Sequence, residues 1–433
     1  MAKPHIVIVG SGISALSACW HLKDDARITL IEKNNYLGGH THTHKLDVSG
    51  HEITVDTGFI VYNQKTYPGL TSWFDELEVR SHAAKMSFSV SANEGSLEWS
   101  GESLNAVFAQ RHRLFDIKFW RMLSDVLRFN RSVVKDLHQN PDLAGSTIGL
   151  SEYLELRGYS DYFKHYYLYP MAGAIWSCST STIEEFSLQS FVNFFDNHGL
   201  LSVADQPQWF SIDGGSQQYT KKLLERLPSE SVTILRSSEA LTINRSNSGN
   251  EIVYTTNGLD RHRISCDQIV LGCHADESSK LIEAQRHPAT EILRRIPFQR
   301  NTAYLHSDIS LMPRNKRAWA AWNYLHKISE NADGQISVTY FMNQLQNLKQ
   351  TTRPILVSLN PIRPPDAKVT YKKMEYSHPN LSRDSERAVS ELSVLQGTNE
   401  IWHAGAWLGN GFHESGFQSG KTVAKKIRML SGS

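Results

Sequence analysis

Residues 5–43 read HIVIVGSGISALSACWHLKDDARITLIEKNNYLGGHTHT, and the order of parts in that stretch leaves few folds open. His5 to Val9 is too short and too β-branched for a helix, which predicts a buried strand. Gly10 and Gly12 follow at once. Gly10 permits a tight turn, and the missing side chain at Gly12 lets a pyrophosphate approach the backbone. A helix beginning near Ile13 would aim its free N–H groups and positive dipole end at those phosphates. Ala15 stands at the third position of G-x-G-x-x-G, which the pattern allows where helix and strand pack closely. Glu32 closes the second apolar run, 22 residues after Gly10. A carboxylate there takes both hydroxyls of an adenosine ribose and repels a 2′-phosphate, so NADP is disfavoured. Strand, turn, helix, strand and acid in this order predict a dinucleotide site on an α/β, Rossmann-like fold.

The chain is long enough, at 433 residues, for two domains with substantial cores. With 40% hydrophobic residues, 21% charged residues and a net charge of +1, it carries no sign of a nucleic-acid binder. Cys19, Cys178, Cys266 and Cys273 form no C-x-x-C pair, which points to a reducing compartment. The sequence runs directly into its first strand with no signal-peptide pattern, and no apolar run approaches the ~18 residues of a membrane span. The expectation is a cytoplasmic protein.

Further along, HEITVDTGFIVY (51–62) alternates apolar and polar residues, and residues 102–140 show helical spacing. Fourteen of the 58 residues from 153 to 210 are aromatic, about 24% against 10% for the chain, which marks either an aromatic core or the wall of an apolar pocket. Residues 212–227 read as a glycine turn opening a helix. Three short strands near 232–235, 239–244 and 251–255 precede a buried strand in 267–275, and residues 300–376 return to strand-like patterns. Residues 400–430 give a strand, a glycine-rich turn and a helix starting near Ser415 or Gly416. Both ends of the chain therefore look nucleotide-linked. The expected organisation is a discontinuous Rossmann-like nucleotide-binding domain (1–80, 205–285 and 395–433) with an inserted α+β substrate domain (81–204 and 286–394).

Four segments carry a family resemblance: the opening fingerprint with Glu32, Leu37-Gly38-Gly39-His40-Thr41-His42-Thr43, Asp56-Thr57-Gly58-Phe59, and Gly411 to Gly420. In them the chain resembles the flavin-containing amine oxidase and phytoene desaturase superfamily. More narrowly, it is similar to a bacterial subfamily described as predicted NAD/FAD-binding proteins, whose genes often lie beside methyltransferases resembling cyclopropane-fatty-acid synthases. The resemblance implies noncovalent FAD, since no cysteine lies between Gly405 and Gly420. It implies cofactor contacts from Gly10, Ser11, Gly12, Ile13, Ser14 and Ala15, with Glu32 and Lys33 at the ribose. Gly38, Gly39, His40 and Thr41 would follow the phosphates and ribitol, and Thr57, Gly58 and Phe59 would pass the flavin ring. The Ala240 backbone would hold the adenine, and Cys273 would be a further cofactor contact. Gly405, Ala406, Phe412, His413, Glu414, Ser415 and Gly416 would close the flavin end. His40 stands where the family usually has Arg, which makes that charge pH-dependent. Phe412 matches an aromatic-cage position without its usual hydroxyl, which speaks against amine oxidation.

Candidate catalytic residues are His413, Glu414, Phe412 and His42. His413-Glu414 reads either as an acid/base pair beside the flavin or as bonds serving the turn and the cofactor. His40, His42 and His44 alternate and would share a strand face, and no metal is expected there. The basic, aromatic-interleaved region from Arg111 to Lys135 reads as a solvated face or as a peripheral contact with the inner membrane. The reading is an FAD-dependent oxidoreductase, oxidase or desaturase, passing hydride from an apolar fatty-acyl or lipid substrate to flavin N5, with oxygen or quinone as acceptor. Alternatives are a non-redox flavin-dependent double-bond isomerase or mutase, or a flavin-binding partner or sensor protein. No nucleic-acid partner is expected.

Overall fold

A computed structural model describes residues 3–139, 148–176, 180–184, 186–197, 199–201, 207–246, 249–326, 336–380 and 382–431. Cys178 lies outside them; Cys19, Cys266 and Cys273 are free thiols.

The apolar runs at the two ends of the chain meet in one five-stranded sheet. Its order is Val232–Leu235, Arg27–Ile31, His5–Val9, Gln268–Leu271 and Ile401–His403, every pair parallel. A parallel sheet must be covered on both faces, and this one is. On one face the opening helix Ile13–Leu22, the closing helix His413–Ser431 and the helix Pro68–Glu76 bury Leu16, Phe417, Ala424 and Leu70 against Ile6, Ile8 and Leu30. On the other, helices Ala275–Ile282, Ala289–Arg294 and Arg383–Ser393 bury Leu281, Leu293 and Leu392 against Val7, Val9 and Leu271.

A second, seven-stranded mixed sheet runs in the order Thr370–Pro379, Phe298–His306, Leu356–Leu359, Ile336–Phe341, Trp322–His326, Phe88–Ala92 and Leu97–Ser100. The aromatic-rich helices pack on it: Phe163, Phe191 and Phe195 share a buried cluster with Tyr324 and Val338.

Several boundaries differ from expectation. The strand Ser81–Ala84 pairs with Trp209–Ile212, across the boundary expected at residue 80. The helices Ala289–Arg294 and Arg383–Ser393 join the core of the nucleotide sheet rather than the inserted domain, because their apolar faces meet Val9 and Leu271. Of the three short strands expected after residue 230, Val232–Leu235 joins the parallel sheet. The other two form an antiparallel meander with Asp260–Cys266. The region 102–140 is broken into a short helix Leu104–Val107, a 3-10 turn Arg111–Phe115 and the helix Ile117–Gln139. Asp116 causes the second break: its Oδ1 accepts from the backbone N–H of Lys118 and Phe119, which starts a new helix.

Candidate cofactor and active site

The nucleotide end is built on the turn after the first strand. Gly10 has φ +92°, and a Cβ there would lie 3.0 Å from the Gly272 carbonyl oxygen. Gly12 precedes the opening helix, and nothing lies within 4 Å of where its Cβ would be, so there is open space beside this N-cap position. Glu32 is buried and its carboxylate is pinned: Ser11 Oγ donates to Oε2 at 2.7 Å, and the Asn34 backbone and side-chain N–H groups donate to Oε1 at 2.7 and 2.8 Å. The Gly38 N–H donates to the Ser11 carbonyl at 3.0 Å, and Gly39 packs so closely that its Cβ would lie 3.2 Å from Gly12 Cα. Ala15 meets Gly272 at the end of the fourth sheet strand, where any Cβ on Gly272 would come within 2.6 Å of the alanine methyl. Ala240 and Cys273 pack against the cluster holding Val9 and Ile31; burial pushes the Cys273 thiol up to about 12. The Lys33 ammonium is committed to an ion pair with Glu277.

The other end gathers residues from both chain halves. The Phe59 N–H donates to the His40 carbonyl at 2.8 Å and the Thr57 N–H to that of His42 at 3.0 Å. A Cβ on Gly58 would sit 2.1 Å from the His40 oxygen, so only glycine fits. Thr41 Oγ1 is 2.5 Å from the Tyr219 hydroxyl and 3.1 Å from His413 Nε2. The His413 ring stacks on Phe59 at 3.7 Å between centroids, and burial lowers its imidazole to about 3, so it is neutral.

His40 corrects one expectation. Its ring lies in the interior beside Tyr376 and His378 (5.2 Å each) and His274 (6.2 Å), and Nε2 has no partner among the described residues. Burial, reinforced by neighbouring imidazoles, holds it far below the usual histidine range. The residue standing in for arginine therefore supplies no charge near neutral pH.

The other candidates separate. Glu414 serves the turn rather than forming an acid/base pair: its two oxygens accept the Gly69 and Leu70 N–H groups at 3.0 and 2.8 Å, capping the helix Pro68–Glu76. That happens because the closing helix begins at His413, ahead of the expected start at Ser415 or Gly416, and Glu414 projects toward that neighbouring helix. His42 does not join His413. It stacks on Tyr36 (4.3 Å), lies 4.1 Å from His44, and contacts the Tyr376 hydroxyl at 3.1 Å, so His42 and His44 share a face without His40. Phe412 turns to the inserted domain, stacking on Phe194 at 4.9 Å, and borders a cleft of about 340 Å³ with Lys65, Tyr67 and Ser415. Gly405 and Ala406 organise the glycine-rich turn; the Ala406 carbonyl accepts from Gly409 and Gly411. Gly416 is a packing contact, because its Cβ would lie 2.6 Å from Ile13 Cγ2. No group of three or more His, Cys, Asp or Glu is arranged to hold a metal among the described residues.

Four residues at the site escaped the sequence reading: His274, Phe298, Tyr376 and His378. His274 stacks on Phe298 at 4.3 Å, and His378 Nδ1 lies 2.8 Å from the Asn301 amide. The alternation of Met374, Tyr376 and His378 along one strand was the available signal.

The residues suit a dinucleotide on three observations: the open space beside Gly12, the pinned ribose-type carboxylate of Glu32, and the buried Nε2 of His40, which has no partner among the described residues. Residues 8–77 match the family described as NAD(P)-binding Rossmann-like domain. No curated protein matches the chain. Among solved structures, a protein from Exiguobacterium sp. 255-15, assigned as a protoporphyrinogen oxidase, is similar at 16% identity with a TM-score of 0.69, over 99% of this chain and 100% of that one. Cyclohexylamine oxidase from Brevibacterium oxydans IH-35A is similar at 13% identity and 0.67, over 100% of both chains. A CLA-producing fatty acid isomerase from P. acnes is similar at 13% identity and 0.65, over 98% of both. At these identities the likeness is one of fold: the chain has the α/β fold of these three structures.

Proposed function

We propose that this protein is an FAD-dependent oxidoreductase, of oxidase or desaturase type, acting on an apolar fatty-acyl or other lipid substrate. The observation that carries the reading is one continuous bonded wall. It runs from Glu32 through Ser11 and Gly38 to Thr41 and on to His413, and so joins residues nearly 400 positions apart. Glu32 would hold the ribose hydroxyls, the N–H groups at Ile13 and Ser14 the pyrophosphate, and Gly58 would leave room for the ring. When bound, FAD supplies a hydride acceptor at N5. The closing helix, starting at His413, directs its positive end at the site, worth ~0.3–1 kcal/mol to a negative charge there. His413, neutral and in contact with Thr41 Oγ1, forms with Thr41 and Tyr219 a short chain able to hold a proton out of water. The aromatic side offered by Phe412 and Phe194 supports an apolar substrate. The absence of cysteine from Gly405 to Gly420 supports noncovalent FAD.

The fold of the fatty acid isomerase favours a second reading, non-redox double-bond isomerisation. Anaerobic incubation of the purified yellow protein with a fatty-acyl panel separates the two. Oxidation bleaches the flavin absorbance on mixing, whereas isomerisation turns over without net bleaching. A colourless protein that takes up no FAD on reconstitution overturns both.

A further inference from the structure

We propose that the knuckle formed by residues 104–121 is a docking surface for an anionic phospholipid bilayer. It comprises the helix Leu104–Val107, the turn Arg111–Phe115 and the first turn of Ile117–Gln139. Phe115 is 88% exposed, Ile117 84% and Leu104 80%, with Trp120 at 49% and Leu114 at 44%. Side chains this open stand on a convex tip. Scattered apolar residues are ordinary on a surface, but five large ones within one short knuckle are not.

The exposure does not come from a loose loop. Trp120 Nε1–H donates to the Leu114 carbonyl at 2.9 Å, Arg111 Nη1 to that of Phe108 at 2.8 Å, and Arg113 Nη1 to Asp116 Oδ2 at 2.6 Å. Phe108 and Phe119 anchor the knuckle in the core below, 5.8 Å apart.

Charge selects the partner. Arg111, Arg113, Lys118 and Arg121 face a single carboxylate in this segment, that of Asp116, a net charge of +3. Asp116 is taken by Arg113, and among the described residues Arg111, Lys118 and Arg121 have no ion-pair partner. An anionic bilayer accommodates both parts of this surface. Its headgroup–acyl boundary takes the aromatic and aliphatic tip while the cations meet phosphates. The rest of the long helix is not part of the surface. Its Phe129 and Val133 are buried, and Arg128 lies over the Tyr159 ring at 4.0 Å, beside Asp125. No helix among the described residues is long and apolar enough to cross a membrane, so the contact is peripheral. This surface stands apart from the cofactor site, and its test does not depend on the proposed reaction.

The test is flotation of the whole purified protein with vesicles of phosphatidylcholine containing about one third phosphatidylglycerol, and with vesicles of phosphatidylcholine alone. The expected result is co-flotation with the anionic vesicles only, weakening as salt rises. The double substitution Phe115→Ser with Ile117→Ser should lower the bound fraction by about tenfold without moving the melting temperature, since both side chains are exposed. Lys118→Glu with Arg121→Glu should do the same. The proposal is overturned if the unaltered protein ignores both vesicles or floats equally with each, or if the variants float as it does. It is also overturned if, without lipid, the apolar substitutions dissolve a dimer seen by sedimentation, which would assign the knuckle to a second copy of the chain.

Discussion

Glu32 shows how much one side chain at this site is fixed before any ligand arrives. Three donors hold its carboxylate in a buried position, so a ribose would meet an acceptor that needs no reorganisation. Replacing it by Ala removes a charged acceptor and strands Ser11 Oγ. Hydrogen bonds to charged groups contribute about 1.5–3 kcal/mol, so FAD should bind roughly 10–100-fold more weakly, read from quenching of flavin fluorescence on titration. Gly58 is constrained by space rather than charge. Gly58→Ala puts a carbon 2.1 Å from the His40 oxygen and must break the Phe59–His40 hydrogen bond. A loss of ~1–3 kcal/mol in urea unfolding, with lower flavin content, is the expected outcome. These residues were legible in the sequence because glycines and an acid at fixed spacing state a local geometry. The ring of His40, His274 and His378 was not, because its members come from a turn, a helix cap and a strand that only tertiary pairing brings together.

Among the elements, the contact between the opening and closing helices matters most for the site. A Cβ on Gly420 would lie 2.1 Å from the Ser14 carbonyl, so the two backbones meet with no room between them. Gly420→Val should push the closing helix outward and carry His413 away from Thr41. A drop in melting temperature and a blue-shifted, weaker flavin band would be measured together; a stable, fully yellow variant would refute the role. The sequence predicted both helices from the glycine turns before them, yet placed the second start two or three residues late and read Gly416 as a cofactor contact. Periodicity locates an apolar face but not what covers it. The same limit applies to the basic helix, where Phe119 and Phe129 turned out to point inward.

For the whole molecule, pH response follows from how many imidazoles the fold buries. Burial lowers His42, His44, His306, His326 and His378 to about 4, and His403 and His413 to about 3. Exposed imidazoles titrate near ~6.5. Below that value the unfolded chain therefore binds protons that the folded chain refuses, and stability falls as pH drops toward about 4. Asp56 runs the other way. Burial pushes its carboxyl up to about 6 against donors from Thr43, Ser216 and Gln346, so its contribution is lost as pH rises through that value. Seven imidazoles outweigh one carboxyl. The melting temperature should fall steadily between about pH 7 and pH 5, and a flat or rising profile would contradict the burial of these rings.

The parallel sheet has an implication for synthesis. Its central strand His5–Val9 is synthesised some 400 residues before its edge strand Ile401–His403 and the helix that brings His413 to Thr41. While the residues between them are being made, the apolar faces of Ile6 and Leu16 lack the cover that Phe417 and Ala424 provide. A cofactor held as proposed above would therefore find its site closed only after the last helix is made, and until then the first strands stay open to pairing elsewhere.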